Sequence, residues 1–185
     1  HIGNVASLPS REIEQMLGAS PVAPAGTTRP SHDRAAFHVS ICLECITLLD
    51  EEKLRRRLEA ASVELSRVDL LERMLVPVMT EVGERWRDGR FRVTHEHLAS
   101  TVVRSFLDSL RAPYPASADA PAISVTSPSS QYHELAPMVV AATARAEGWR
   151  ATFLCPHLPV EEIAAAASQT EARAVALSLT IAGGD

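Results

Sequence analysis

Apolar residues recur three and four positions apart from Ala35 to about Arg111. They run as Phe37, Ile41, Cys45 and Leu48; then Leu54, Leu58 and Ala61; then Leu71, Met74, Leu75, Val78, Met79 and Val82; then Leu98, Ala99, Val102, Val103, Phe106 and Leu110. Stripes of this period belong to helices that bury one face. They predict about four helices and hence an antiparallel four-helix bundle. After a stretch at 112–122 that contains Pro113, Pro115 and Pro121, the period changes. Ile123–Thr126, Ala151–Cys155 and Ala174–Leu179 read as strands; 137–147, ended by Gly148, and 160–170 read as helices. The βαβαβ order predicts an α/β unit with a doubly wound parallel sheet, in which ligands sit beyond the carboxyl ends of the strands. Ser127–Leu135, Cys155–Pro159 and Ser178–Asp185 follow such ends and are expected to meet around one site. Three strands make a thin sheet, so the α/β unit is expected to be truncated at Gly183-Gly184-Asp185.

Ahead of the bundle, Ser10–Leu17 reads as a short helix with Ser10 as its N-cap and Glu12 and Glu14 in its first turns. Residues 18–34 are rich in Pro, Ala, Gly, Ser and Thr and hold almost no large apolar side chain, so they read as a linker. The expected organisation is a tail at 1–17, a linker at 18–34, the bundle at 35–111, a linker at 112–122 and the α/β domain at 123–185. With 46% hydrophobic and 22% charged residues in 185, the chain can bury a real core. Its net charge of −5 argues against nucleic-acid binding by this stretch itself. No apolar run approaches the ~20 residues that cross a bilayer, and the first residues lack a signal-peptide layout, so a cytoplasmic protein is expected. Cys42, Cys45 and Cys155 form no disulfide framework; the first two, on one helix, read as core cysteines rather than a metal pair. The charge run at Glu51–Arg57 reads as an exposed helix start, and His95 as a solvated helix residue.

The candidate chemistry lies in Trp86, nine intervening residues, Glu96-His97, and, thirty-six residues after His97, the loop residue His133. One imidazole from each of two domains suits a metal held in a flat macrocycle, which offers protein only its two axial positions. The spacing W-x9-EH, its flanks Pro77, Gly83-Glu84-Arg85-Trp86, Gly89 and Leu98-Ala99-Ser100, and in the α/β half Gly148-Trp149, Leu154, Leu158-Pro159 and Ala176-Leu177-Ser178, resemble the MerR-type cobalamin-dependent photoreceptor regulators. Ile2-Gly3-Asn4-Val5-Ala6-Ser7-Leu8 is similar to the tail that follows the winged-helix DNA-binding domain of that family. The resemblance implies a Rossmann-like, cobalamin-binding domain after the bundle and adenosylcobalamin between the two. It implies His133 as the lower axial ligand to cobalt and Trp86 against the upper face and the adenosyl group. Glu96 would be hydrogen-bonded to that group, and His97 would be poised to take the upper position after light cleaves the cobalt–carbon bond. It further implies a homo-oligomer altered by light, with operator DNA bound through a domain absent from this chain.

The cobalamin fingerprint D-x-H-x-x-G, often with Glu first in this subfamily, reads here Gln131-Tyr132-His133-Glu134-Leu135-Ala136. Gln131 thus takes the place of the carboxylate that orients the histidine. Where the family has Leu-Gly at the end of the second strand, this chain has Leu154-Cys155, then Pro156-His157. Cys155 and His157 open an alternative on the same fold, a haem or a bilin such as biliverdin, the thiol forming a thioether and His157 bonding a propionate or the pyrrole nitrogens. A corrinoid methyltransferase subunit also places a bundle before an α/β domain. The Trp86, Glu96 and His97 set argues against it, because a methyl carrier must open its upper face. With no Ser-His-Asp order, phosphate loop or zinc-protease helix, the expectation is a sensor, not an enzyme.

Overall fold

The computed structural model describes residues 28–110 and 116–179, in which six α-helices and three parallel strands form a helical unit followed by a small sheet. The expected helix at Ser10–Leu17 lies outside the described residues.

Helix α1 spans Thr28–Thr47, so the last seven residues expected in the linker at 18–34 are helical instead. Its core face also differs from the expected one. Ala35, His38, Cys42, Cys45 and Ile46 are buried, whereas Phe37 and Leu48 are exposed. The inward face includes His38, whose ring is fully enclosed and whose Nε2 lies 3.2 Å from Glu64 Oε2. Leu49, at φ 54°, breaks the helix, and Asp50 then caps α2 (Glu51–Glu64) by accepting the Lys53 amide at 2.9 Å. Glu51 and Glu52 complement the helix dipole and pair one turn on with Arg55 and Arg56, as expected of an exposed start. Leu54, Leu58 and Ala61 line the inner face. Each leucine enclosed to this degree contributes about 1.5–3 kcal/mol.

The third rod opens as a π-helical segment, Asp69–Leu75, and continues as α3, Val76–Arg87. At the junction the Val76 amide donates to Leu71 O, five residues back. Pro77 explains the widened turn: it has no N–H to donate, and its ring would collide with the carbonyl four residues earlier in a regular α-helix. Helix α4, Val93–Ser109, returns along the bundle and buries Ala99, Val102, Val103, Phe106 and Leu107.

In the α/β half the strands are β1 (Ala122–Thr126), β2 (Arg150–Phe153) and β3 (Ala174–Leu177), with α5 (Leu135–Ala146) and α6 (Val160–Gln169) between them. The order is β2-β1-β3, all parallel, with Ile123 opposite Ala151 on one side and Ala174 on the other. Gly148, at φ +87°, turns the chain from α5 into β2. Met138 and Ala142 of α5 join the bundle's own core beside Leu107, and Phe153 packs against that core. The two halves therefore share apolar contacts along α5. A cavity at this seam is lined by Leu107, Met138, Ala141, Arg145 and Phe153, and none of the candidate site residues lines it.

Candidate functional site

The turn from α3 to α4 is fixed by three local devices. Gly89, at φ +73°, donates to Trp86 O at 3.1 Å, and the Phe91 amide donates to Arg85 O at 2.8 Å. The Phe91 ring has two partners: Arg85 lies over it at 5.2 Å and His95 stacks on it at 4.8 Å. His95 also accepts the Arg92 amide on Nδ1 at 3.1 Å, so this residue, expected to be merely solvated, caps α4. The turn leaves the Trp86 indole exposed at the end of α3 and brings Glu96 and His97 into the first turns of α4.

Glu96 accepts two short hydrogen bonds, from Ser100 Oγ on Oε1 at 2.6 Å and from His97 Nδ1 on Oε2 at 2.6 Å. Partial burial would raise its pKa. The bonds from Ser100 and His97, with the positive potential of His97 and His133, outweigh that and hold the carboxyl below its ordinary value. His133 belongs to the other half of the molecule, on the loop that precedes α5. An ion pair between Arg104 of α4 and Glu134, next to His133, joins the two halves there.

Around His133 the loops after β1 and β2 run side by side. The Leu158 amide donates to Ser127 O at 3.1 Å, and the Gln131 amide closes a turn onto Pro128 O at 3.1 Å. Thr126 Oγ1 donates to Cys155 O at 2.9 Å, while the Cys155 thiol is exposed. His157 accepts the Ser130 amide on Nδ1 at 2.8 Å and carries the Tyr132 ring stacked on it at 4.6 Å. Ser178 extends the β1–β3 pairing by donating its amide to Thr126 O at 2.9 Å. The carboxyl ends of all three strands thus meet, and Gln131, His133, Cys155, His157 and Ser178 lie on or beside them. β2 and β3 end at Phe153 and Leu177, two residues short of the expected strand ends, which leaves Leu154-Cys155 and Ser178-Leu179 in the loops that form this edge.

Three contributors, Ser127, Ser130 and Tyr132, went unread in the sequence, as did the backbone conformation of His157. Ser127 is buried at the end of β1, and its Oγ finds no hydrogen-bond partner among the described residues. Ser130 and His157 both hold positive φ, at 72° and 68°, without being glycine or asparagine. Tyr132, 71% exposed, supplies the aromatic cover for His157. No spacing rule announces any of them.

Residues 42–111 match the family described as B12 binding domain. That stretch is similar to a B12-binding domain. It is 27% identical over 142 residues to the HTH-type transcriptional repressor CarH of Myxococcus xanthus, covering 77% of this chain and 47% of that protein. With the HTH-type transcriptional repressor CarA of the same organism it shares 30% identity over 133 residues, covering 70% and 43%. The chain is thus a homologue of these repressors and spans less than half their length. The monomethylamine corrinoid protein of Methanosarcina barkeri shares the fold, with a TM-score of 0.54 at 14% identity over 74% of this chain and 65% of that one.

The donor set on the two halves suits a corrinoid. Its cobalt has four equatorial positions already filled by the macrocycle and accepts imidazole nitrogen at the remaining ones. His133 and His97, both exposed, carry imidazoles of this kind on opposite halves. The orphaned Ser127 hydroxyl offers a hydrogen bond to the amide- and phosphate-bearing periphery of such a ligand. Among the described residues no group of three or more His, Cys, Asp or Glu could hold a bare metal ion, and no helix is long and apolar enough to cross a membrane.

Proposed function

We propose that this chain is the sensory part of a light-controlled HTH-type repressor that holds adenosylcobalamin between its bundle and its Rossmann-like half. The observation that carries the reading is the ion pair between Arg104, on the bundle, and Glu134, which follows His133 on the β1–α5 loop and brings that loop against the helix that bears Glu96 and His97. When bound, adenosylcobalamin supplies a cobalt–carbon bond that green light cleaves.

The residues divide the remaining work. His133 would hold the cobalt through its imidazole, and neutral Gln131 would support that ring more weakly than the usual carboxylate. Trp86, exposed on the bundle, covers the upper face and excludes water from it. Glu96 is held ionised by Ser100 and His97, so it accepts a hydrogen bond from a ribose hydroxyl or an adenine amino group. His97, bonded to Glu96, would offer the metal a second imidazole once the adenosyl group has left. Cys155, His157 and Ser178 border the crevice beyond the strand ends and would meet the periphery of the ligand there. The change in the bundle after illumination then alters a homo-oligomer and, through a domain outside this chain, its hold on operator DNA in the cytoplasm. No enzymatic turnover is assigned to the chain, in keeping with relatives named as repressors.

A second reading rests on the exposed Cys155 thiol at the crevice, which suits covalent capture of a bilin vinyl group. The same experiment decides between them. Protein is reconstituted in darkness with adenosylcobalamin or with biliverdin, gel-filtered, and examined by absorption and light scattering before and after green light. Corrin bands that survive the column and change irreversibly on illumination, with a change of oligomer mass, are expected. Loss of the corrin with retention of biliverdin overturns the cobalamin assignment.

A further inference from the structure

We propose that His157 is the positioning residue for His133: it holds the β1–α5 loop in its ligating shape by accepting the Ser130 amide. The inference rests on the assignment of His133 as the axial ligand.

The loop's shape is not one the backbone takes by itself. Ser130 sits at φ 72°, in the left-handed region that side-chain-bearing residues avoid, and something nearby must offset that cost. The partner is specific. The Ser130 N–H points at His157 Nδ1 over 2.8 Å, and His157 is itself held at φ 68°. A backbone amide can only donate, so Nδ1 is the acceptor and the neutral ring carries its proton on Nε2. Tyr132 stacks on the same ring at 4.6 Å and an interplanar angle of 21°, fixing its plane. Three residues after Ser130 comes His133, and directly after it Glu134 is tied to Arg104. The ligating residue is therefore suspended between two anchors, one on the β2 loop and one on the bundle.

Nothing in this lock supports the core. Ser130, Tyr132 and His157 are all exposed, and the neighbouring fold is carried by Val125, Met138 and Ala141, which are buried. The effect of breaking it should then fall on coordination geometry rather than on folding. It also accounts for the missing carboxylate at Gln131: orientation that a charged residue two positions before the histidine would supply is replaced by restraint of the loop from across the crevice.

The test uses the whole 185-residue chain and cobinamide, a corrinoid without a nucleotide base, so that any axial nitrogen comes from protein. Reduced to the cobalt(II) state, its electron paramagnetic resonance spectrum shows nitrogen superhyperfine splitting only when an imidazole is bound. The parent protein is expected to show the splitting, and His133→Ala to lose it. His157→Phe keeps the ring and its stacking but has no acceptor; it should lose most of the splitting and weaken cobinamide retention about tenfold, the lower end of what outer-sphere partners are worth. His157→Asn tolerates positive φ and restores an acceptor oxygen, so it should recover most of both signals. Ser130→Gly removes the strain that the bond offsets and should partly rescue His157→Phe. Full splitting and parent-like retention in His157→Phe would overturn the positioning role while leaving the axial assignment intact. Absence of splitting in the parent, or its persistence in His133→Ala, would overturn the axial assignment and this inference with it.

Discussion

Arg104 on α4 and Glu134 at the threshold of α5 form an ion pair across the boundary between the bundle and the α/β half. The pair is adjacent to His133, yet it is not strong in stability terms. Arg104 is 51% exposed and Glu134 23%, so water and salt screen it. A double-mutant cycle with Arg104→Ala and Glu134→Ala, followed by urea denaturation, should give a coupling of about 0.5 kcal/mol that shrinks as salt is added. A coupling of about 3 kcal/mol, insensitive to salt, would show that the boundary is closed to solvent, contrary to this structure.

The buried His38 leads to the opposite expectation from the one its burial invites. Its Nε2 meets Glu64, but Nδ1 finds no partner among the described residues, and Glu64 is half exposed and can turn to water. His38→Leu removes an unsatisfied buried nitrogen, and the acid it leaves behind is half exposed to water. Its effect on stability should therefore be within about 1 kcal/mol of zero or favourable, read as the urea midpoint at neutral pH. A loss of about 3 kcal/mol would show that the His38–Glu64 contact holds α1 to α2.

Periodicity reveals the helices where every inward position is apolar, as with Leu54, Leu58 and Ala61 on α2. It misplaces the inward face of α1 because His38 occupies a core position that polarity alone assigns to the surface. The start of α1 at Thr28 is hidden by the Pro-, Gly- and Ser-rich composition around it, although a proline in a first helical turn, as Pro30 is, loses no helix hydrogen bond. The π segment is legible only in retrospect, from Pro77. In the site, Trp86, Glu96, His97 and His133 are read through their spacing and resemblance to a family. The Ser130–His157 bond and the Arg104–Glu134 pair join residues about thirty apart by side-chain geometry, which no local pattern encodes.

The three cysteines should separate cleanly in reactivity. Burial, reinforced by Cys45, pushes the Cys42 thiol up to about 12, with Arg57 opposing, whereas Cys155 is exposed at the crevice. At neutral pH a maleimide should modify Cys155 quickly and reach Cys42 and Cys45 only on unfolding, as peptide mass mapping would show. The sign of the pH effect follows. A thiol whose pKa is raised on folding stabilises the fold fully below its ordinary value of 9.0, and that contribution is lost as pH climbs toward about 12. Stability measured between pH 9 and 11 should therefore fall in the parent and fall less in Cys42→Ala. Equal slopes in the two proteins would mean that Cys42 ionises as freely in the fold as out of it.

Trp86 offers the cleanest separation of binding from folding. A large aromatic at a helix end is ordinarily a core anchor, but this indole is 54% exposed, while Leu58 is fully enclosed. Leu58→Ala should cost about 2–5 kcal/mol through lost burial and the cavity left behind. Trp86→Ala should cost no more than about 1 kcal/mol without ligand, because little packing is removed. With adenosylcobalamin the order should reverse: Trp86→Ala should release the ligand faster on gel filtration and lose most of the thermal stabilisation that the ligand confers on the parent, since the indole has no other surface to cover. A Trp86→Ala variant that melts like Leu58→Ala without ligand, yet retains adenosylcobalamin as the parent does, would return the indole to the bundle core and withdraw it from the site.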